Sequence, residues 1–90
     1  MAQHRMALAN WGTIIRDLAA FQRFVPEPLC RELLSALGSG KTVRQLQSEL
    51  TNFDSSTIRL AIFMVLHRGH ATCKQLETLP LGPDHVIELP

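Results

Sequence analysis

The sequence predicts a mainly helical domain closed by a small β-hairpin. Three observations carry that expectation. Apolar residues recur at three- and four-residue spacing through most of the 90 residues. Glycine, proline and capping residues interrupt that period where helices should start and stop. Two short runs near the C-terminus abandon it for an extended pattern.

The first helix is expected over about Ala7 to Phe24, where Trp11, Ile14, Ile15, Leu18 and Phe21 form one apolar stripe and Arg16, Asp17 and Arg23 lie elsewhere. "VPEP" ends it, because each proline disfavours helical geometry in the residue before it. Pro28 suits the first position of a second helix, where no backbone donor is needed, and that helix runs to about Leu37 with Gly38 as terminator. Thr42 and Gln45 have the Thr-x-x-Gln spacing of a capping box, so a third helix is expected from Val43 to about Leu50. After the turn "TNFD", Asp54 or Ser55 caps a fourth helix, which ends near His67 before Arg68-Gly69. "HATCKQL" and "HVIEL", separated by "ETLPLGPD", read as the two strands of a hairpin.

The stretch "GSGKT", Gly38 to Thr42, invites a different reading, as a phosphate-binding loop. That loop needs a glycine where Ser35 stands, a buried strand before it and a helix after it. What precedes it is the helical "PLCRELLSAL". The segment is therefore a helix end, a turn and a cap, and no nucleotide cofactor is expected.

Helix, helix, turn, helix and hairpin is the order of a winged helix-turn-helix domain. Residues 1–25 form an added amphipathic helix in this division, and residues 26–90 the domain itself. "KTVRQLQSEL" and "DSSTIRLAIFMVLHRGHA" resemble the positioning helix, the second helix and the Arg-Gly entry to a wing. The tail "HRGHATCKQLETLPLGPDHVIEL" is similar to the end of the TnsA family, the endonuclease subunits of Tn7-like transposons. "ANWGTIIRDLAAFQRFVPEPLCRELLSAL" is similar to the linker helix and first winged helix there. The resemblance implies a part that contacts the transposon's ATPase regulator and DNA. The family's nuclease also needs a cluster of acidic residues with a lysine on a sheet core. Here the acids are scattered singly, so the resemblance extends to the non-catalytic part alone.

Composition narrows the partners. Formal net charge is +1, against both a general nucleic-acid sponge and an acidic mimic of DNA. Between Lys41 and Lys74, however, five basic residues face only Glu49 and Asp54, a local +3. Lys41, Arg44, Arg68 and Lys74 are thus candidate phosphate contacts from the turn and wing. Ser55, Ser56, Thr57 and Arg59 sit where such domains insert a helix into the major groove. The remainder of that helix, "IRLAIFMVL", is apolar on every side and must be covered on every side. Ile58, Ala61, Ile62 and Val65 suit the domain's own core. Leu60, Phe63 and Met64 point away from it, to be covered by the first helix with Trp11 or by a protein partner. The two functional expectations are a protein-docking module that touches double-stranded DNA, and a sequence-specific regulator dimerised through its first helix.

Enzymatic readings find less support. His67, His70 and Cys73, with Cys30, have the residue types for zinc, but their spacing crosses a helix end into a strand, which scatters the ligands. No Ser-His-acid order or carboxylate pair stands out. Two cysteines do not make a disulfide framework, and no apolar run reaches membrane-span length or reads as a secretory signal. A reducing, cytoplasmic setting is the expectation.

Overall fold

Helix α1 spans Ala2–Phe21 and tightens into a 3₁₀ turn at Gln22–Phe24, and α2 spans Glu27–Leu37 in the computed structural model, which describes residues 2–38, 40–77 and 82–89. Strand β1 (Lys41–Thr42) leads directly into α3 (Val43–Glu49), then come α4 (Ser55–His67), a 3₁₀ turn at Lys74–Glu77 and strand β2 (Val86–Ile87). Ser39 and residues 78–81, parts of the expected turn and wing loop, lie outside the described residues.

The chain is mainly α with a small antiparallel sheet. β1 pairs with β2 in the register Lys41↔Ile87 and Thr42↔Val86, and Thr72 forms a bridge to Glu88 on the other side of β2. That bridge is closed by two backbone bonds, Thr72 N–H to Glu88 O at 2.7 Å and Glu88 N–H to Thr72 O at 2.9 Å. Helix, strand, helix, helix and strand follow α1 in that order, with β2 between β1 and the isolated bridge at Thr72. Two expectations need correcting here. Lys41–Thr42 is a strand as well as a cap, and it is β2's main partner. "HATCKQL" contributes only the Thr72 bridge, because the chain coils at Lys74 to bury Leu76 against α1.

Local chemistry explains the element ends. Thr42 Oγ1 accepts from the Gln45 N–H at 3.1 Å while Gln45 Oε1 accepts from the Thr42 N–H at 2.8 Å, the reciprocal bonds of a capping box. The Val43 and Arg44 N–H groups donate to the carbonyls of His85 and Pro83 at 3.0 and 2.9 Å, so the returning wing segment satisfies donors the helix cannot. Gly40 has φ 123° and a Cβ there would meet Glu88 and Val86 at 3.1 and 3.3 Å, so only glycine lets β2 approach. At the far end of α4 the His70 N–H reaches Val65 O and the Gly69 N–H reaches Leu66 O, with Gly69 at φ 78°. This is a Schellman stop. The second helix begins one residue earlier than expected, at Glu27, which places Pro28 at its second position, still free of any need for a donor.

The core is built around α4. Ile58 and every residue from Ala61 to Leu66 are buried, with α1, α2 and α3 packed against them. Leu29, Leu33 and Leu37 of α2, Leu46 of α3 and Ile87 of β2 complete it. On α1 the buried line is Asn10, Ile14 and Leu18, spaced by four. Ile15 and Phe21, expected in the stripe, are 53% and 49% exposed. Ile15 falls about 100° round the helix from Ile14, outside the contact. Phe21 is the last residue of α1, where the chain tightens into the 3₁₀ turn. Asn10 is buried because its Nδ2 donates to Leu76 O at 2.8 Å, tying α1 to the 3₁₀ turn in the wing.

Candidate nucleic-acid and partner interface

The first turn of α4 is open to a large partner. Asp54 takes the N-cap position with extended backbone but makes no side-chain capping bond. Ser55 and Ser56 follow it as exposed residues, and Thr57 is half-buried. The serines are therefore not the cap, and both are open to solvent. Gln47 Nε2 of α3 donates to Ser55 O at 3.1 Å and fixes the approach of the two helices.

Arg59, the long basic side chain among the groove candidates, is half exposed but already has partners within the protein. Its guanidinium lies over the Phe63 ring at 4.9 Å and 3.9 Å from Asp17 Oδ2 of α1. The stacking and the ion pair draw it across the helix surface toward α1. Phe63 and Met64 are only 3% and 6% exposed, and Leu60 and Trp11 are partly buried. The surface assigned from sequence to a docking partner is thus largely covered by the chain's own helices. What stays open beside it is a groove of about 300 Å³, lined by Val43 and Gln47 of α3, Arg59, Ile62 and Phe63 of α4, and Gly82 and Pro83.

Three of the four cations expected to meet phosphates also have acidic neighbours. Lys41 Nζ is 2.6 Å from Glu49, Arg68 is 3.2 Å from Glu27, and Arg44 is 3.5 Å from Asp84. Lys74 is exposed and makes no ion pair among the described residues. Solvent-exposed pairs of this kind are weak enough for a phosphate to displace. The local excess of positive charge is nonetheless smaller than the sequence segment suggests, because Glu27 and Asp84 come from outside it.

The histidine–cysteine set is not assembled. His67 and His70 are exposed, whereas Cys30 and Cys73 are buried on different elements. Among the described residues no group of three or more His, Cys, Asp or Glu is placed to hold a metal ion. Cys73 instead lies 3.5 Å from Nδ1 of His85, itself 3% exposed, and 3.7 Å from Oε1 of Gln75. Burial pushes the Cys73 thiol above its ordinary range, against a smaller opposing effect of the Gln75 and Leu76 backbone N–H groups. Burial also raises Cys30, helped by the nearby Glu27 carboxylate and opposed by Arg68. A thiol kept protonated is a poor nucleophile, so the Cys73–His85 contact reads as polar packing.

Sequence reasoning passed over Asn10, His85 and the outer face of α1. For Asn10 a signal existed, since it continues the four-residue spacing of Ile14 and Leu18. His85 had none, because its neighbour is set by how the wing returns. No helix among the described residues is long and apolar enough to cross a membrane. Comparison with family models, with curated proteins and with solved structures returns no match.

Proposed function

We propose that this chain is a non-catalytic winged-helix interaction module that docks onto protein and contacts double-stranded DNA only through its turn and wing cations. The observation that carries this reading is the burial of α4 from Ala61 to Leu66. A groove-reading helix needs a polar face along several turns, and beyond its first turn this one exposes only Arg59 and His67 among its polar side chains. α1 lies against the helix, with Asp17 beside Arg59, so groove insertion would require α1 to leave. Apolar side chains are meanwhile left open on the outside, at Leu8, Ile15, Phe21, Phe24 and Leu89. Leu8 and Ile15 share one face of α1, and an apolar face open to solvent suits a protein partner. The resemblance of the tail to the TnsA family supplies the class of partner, an ATPase regulator in a transposition complex.

A salt titration of duplex binding tests the reading. Weak binding, indifferent to sequence, should fall with salt and flatten when Arg44, Arg68 and Lys74 are replaced together by alanine. Tight binding to one sequence, lost on replacing Ser55, Ser56 and Thr57 by alanine, would overturn it in favour of a sequence-specific regulator.

A further inference from the structure

We infer that the groove between α3 and α4 takes a short acidic-apolar peptide segment of a protein partner. An Asp or Glu of that segment meets Arg59, and a neighbouring apolar side chain meets the groove floor. The inference rests on the docking reading above and names the site and the chemistry of what docks there.

The floor is a by-product of folding. Ile62 and Phe63 of α4 are almost fully buried yet line the groove, so their outer edges form its bottom. Val43, the first residue of α3, is half-buried beside them, and Pro83 closes the side where the chain returns. The Arg44 N–H donates to Pro83 O at 2.9 Å and holds that side in place. At about 300 Å³ the groove is at the small end of binding sites. It has room for one or two side chains, not for a whole helix.

Charge and hydrogen bonding select the occupant. Gln47 and Arg59 are the polar side chains of the lining, and among the described residues no acid joins them there. Stacking on the Phe63 ring at 4.9 Å fixes the Arg59 guanidinium, whose side chain is 48% exposed. Asp17 stands 3.9 Å away, beyond hydrogen-bond length, and the guanidinium makes no hydrogen bond to any described residue. A fork of N–H donors is therefore held at the rim of an apolar groove, open to an acceptor from outside. The long, exposed pair with Asp17 is too weak to keep a second carboxylate off the fork.

Gln47 supplies the opposite group. Its Nε2 donates to Ser55 O at 3.1 Å, which leaves Oε1 without a donor among the described residues. Donor fork, amide oxygen and apolar floor complement a carboxylate, a backbone N–H and an apolar side chain. An extended peptide presents those three within neighbouring residues. A DNA phosphate matches Arg59 alone, and against Ile62 and Phe63 it would lose hydration with nothing in return.

Selection of random short peptides displayed on phage, with the immobilised full chain as target, tests this. Enriched peptides should carry Asp or Glu next to Leu, Ile, Met or Phe, and bind at roughly 10 to 100 μM, as suits so small a contact. Arg59→Gln removes the charge at an exposed position and should weaken those peptides about tenfold or more. Val43→Glu, checked by thermal unfolding to be folded, should weaken them too, by setting a like charge in the groove. No enrichment, enriched peptides without an acid, or affinity unaltered in either folded variant would each overturn the inference. So would duplex DNA that displaces the peptides and itself loses affinity in Arg59→Gln, which would assign the groove to nucleic acid. A failed selection removes this groove and leaves the docking reading to the salt titration. Tight binding to one duplex sequence removes the docking reading whatever the selection finds.

Discussion

Helices α1 and α4 are both rich in apolar residues, but they sit in the protein in opposite ways. α4 buries six consecutive residues, Ala61 to Leu66, because three other helices surround it. α1 lies on the outside, and among its described residues only Asn10, Ile14 and Leu18 are buried. A central helix must be apolar all round, whereas a peripheral one can spend only a single stripe on the core. Apolar residues on the rest of α1 are then not explained by folding, and they become evidence about partners. The same residue type carries different information in the two helices.

The sharpest way to break this contrast is at Phe63. Placing a charge there by Phe63→Lys should abolish cooperative folding, since the ring is almost fully enclosed and lies under the Arg59 guanidinium. The milder Phe63→Ala should cost about 3–5 kcal/mol in chemical denaturation. A folded Phe63→Lys chain that binds duplex more tightly would show α4 to be an exposed DNA-facing helix, against the burial seen here.

Adjacent isoleucines give the next largest difference, within one helix. Ile14 is fully buried and Ile15 is half exposed. Ile14→Ala should lose about 2–5 kcal/mol, but Ile15→Ala should stay within about 0.5 kcal/mol. Equal losses would mean that α1 packs in a different rotation.

Thr42→Ala tests a local element that neither α1 nor α4 supplies. Loss of the capping box should cost about 1 kcal/mol, and a value near zero would mean that the wing carbonyls of Pro83 and His85 suffice to hold the start of α3.

The smallest effect concerns the buried thiols. Because burial raises both Cys30 and Cys73, an unfolded chain releases their protons at lower pH than the folded one. Their contribution to stability is present in full below the ordinary thiol pKa of about 8.5, and is lost as pH rises through the raised folded values. The denaturation midpoint should fall between neutral pH and about pH 9.5, by less once both cysteines are replaced by alanine. An undiminished fall in the double variant would assign the alkaline loss to other groups.

Whatever depends on neighbours in the chain was legible in the sequence. The capping box of Thr42 and Gln45, the glycine stop after α4 and the apolar run of Ala61 to Leu66 all arise from residues within a few positions of each other. Spacing of four, three and seven residues fixes which side chains share a helix face, whatever surrounds that helix. Tertiary structure alone decided the rest. Two residues, Lys41 and Thr42, cannot sustain a strand unless the edge of β2 comes back to them from Val86 and Ile87. Arg68 meets Glu27 across 41 positions, and Cys73 meets His85 because the returning chain pairs Glu88 with Thr72. Which apolar face of α1 turns inward was likewise settled by contact with α4 and the Asn10 bond to Leu76, since periodicity defines a stripe but not the rotation that places it.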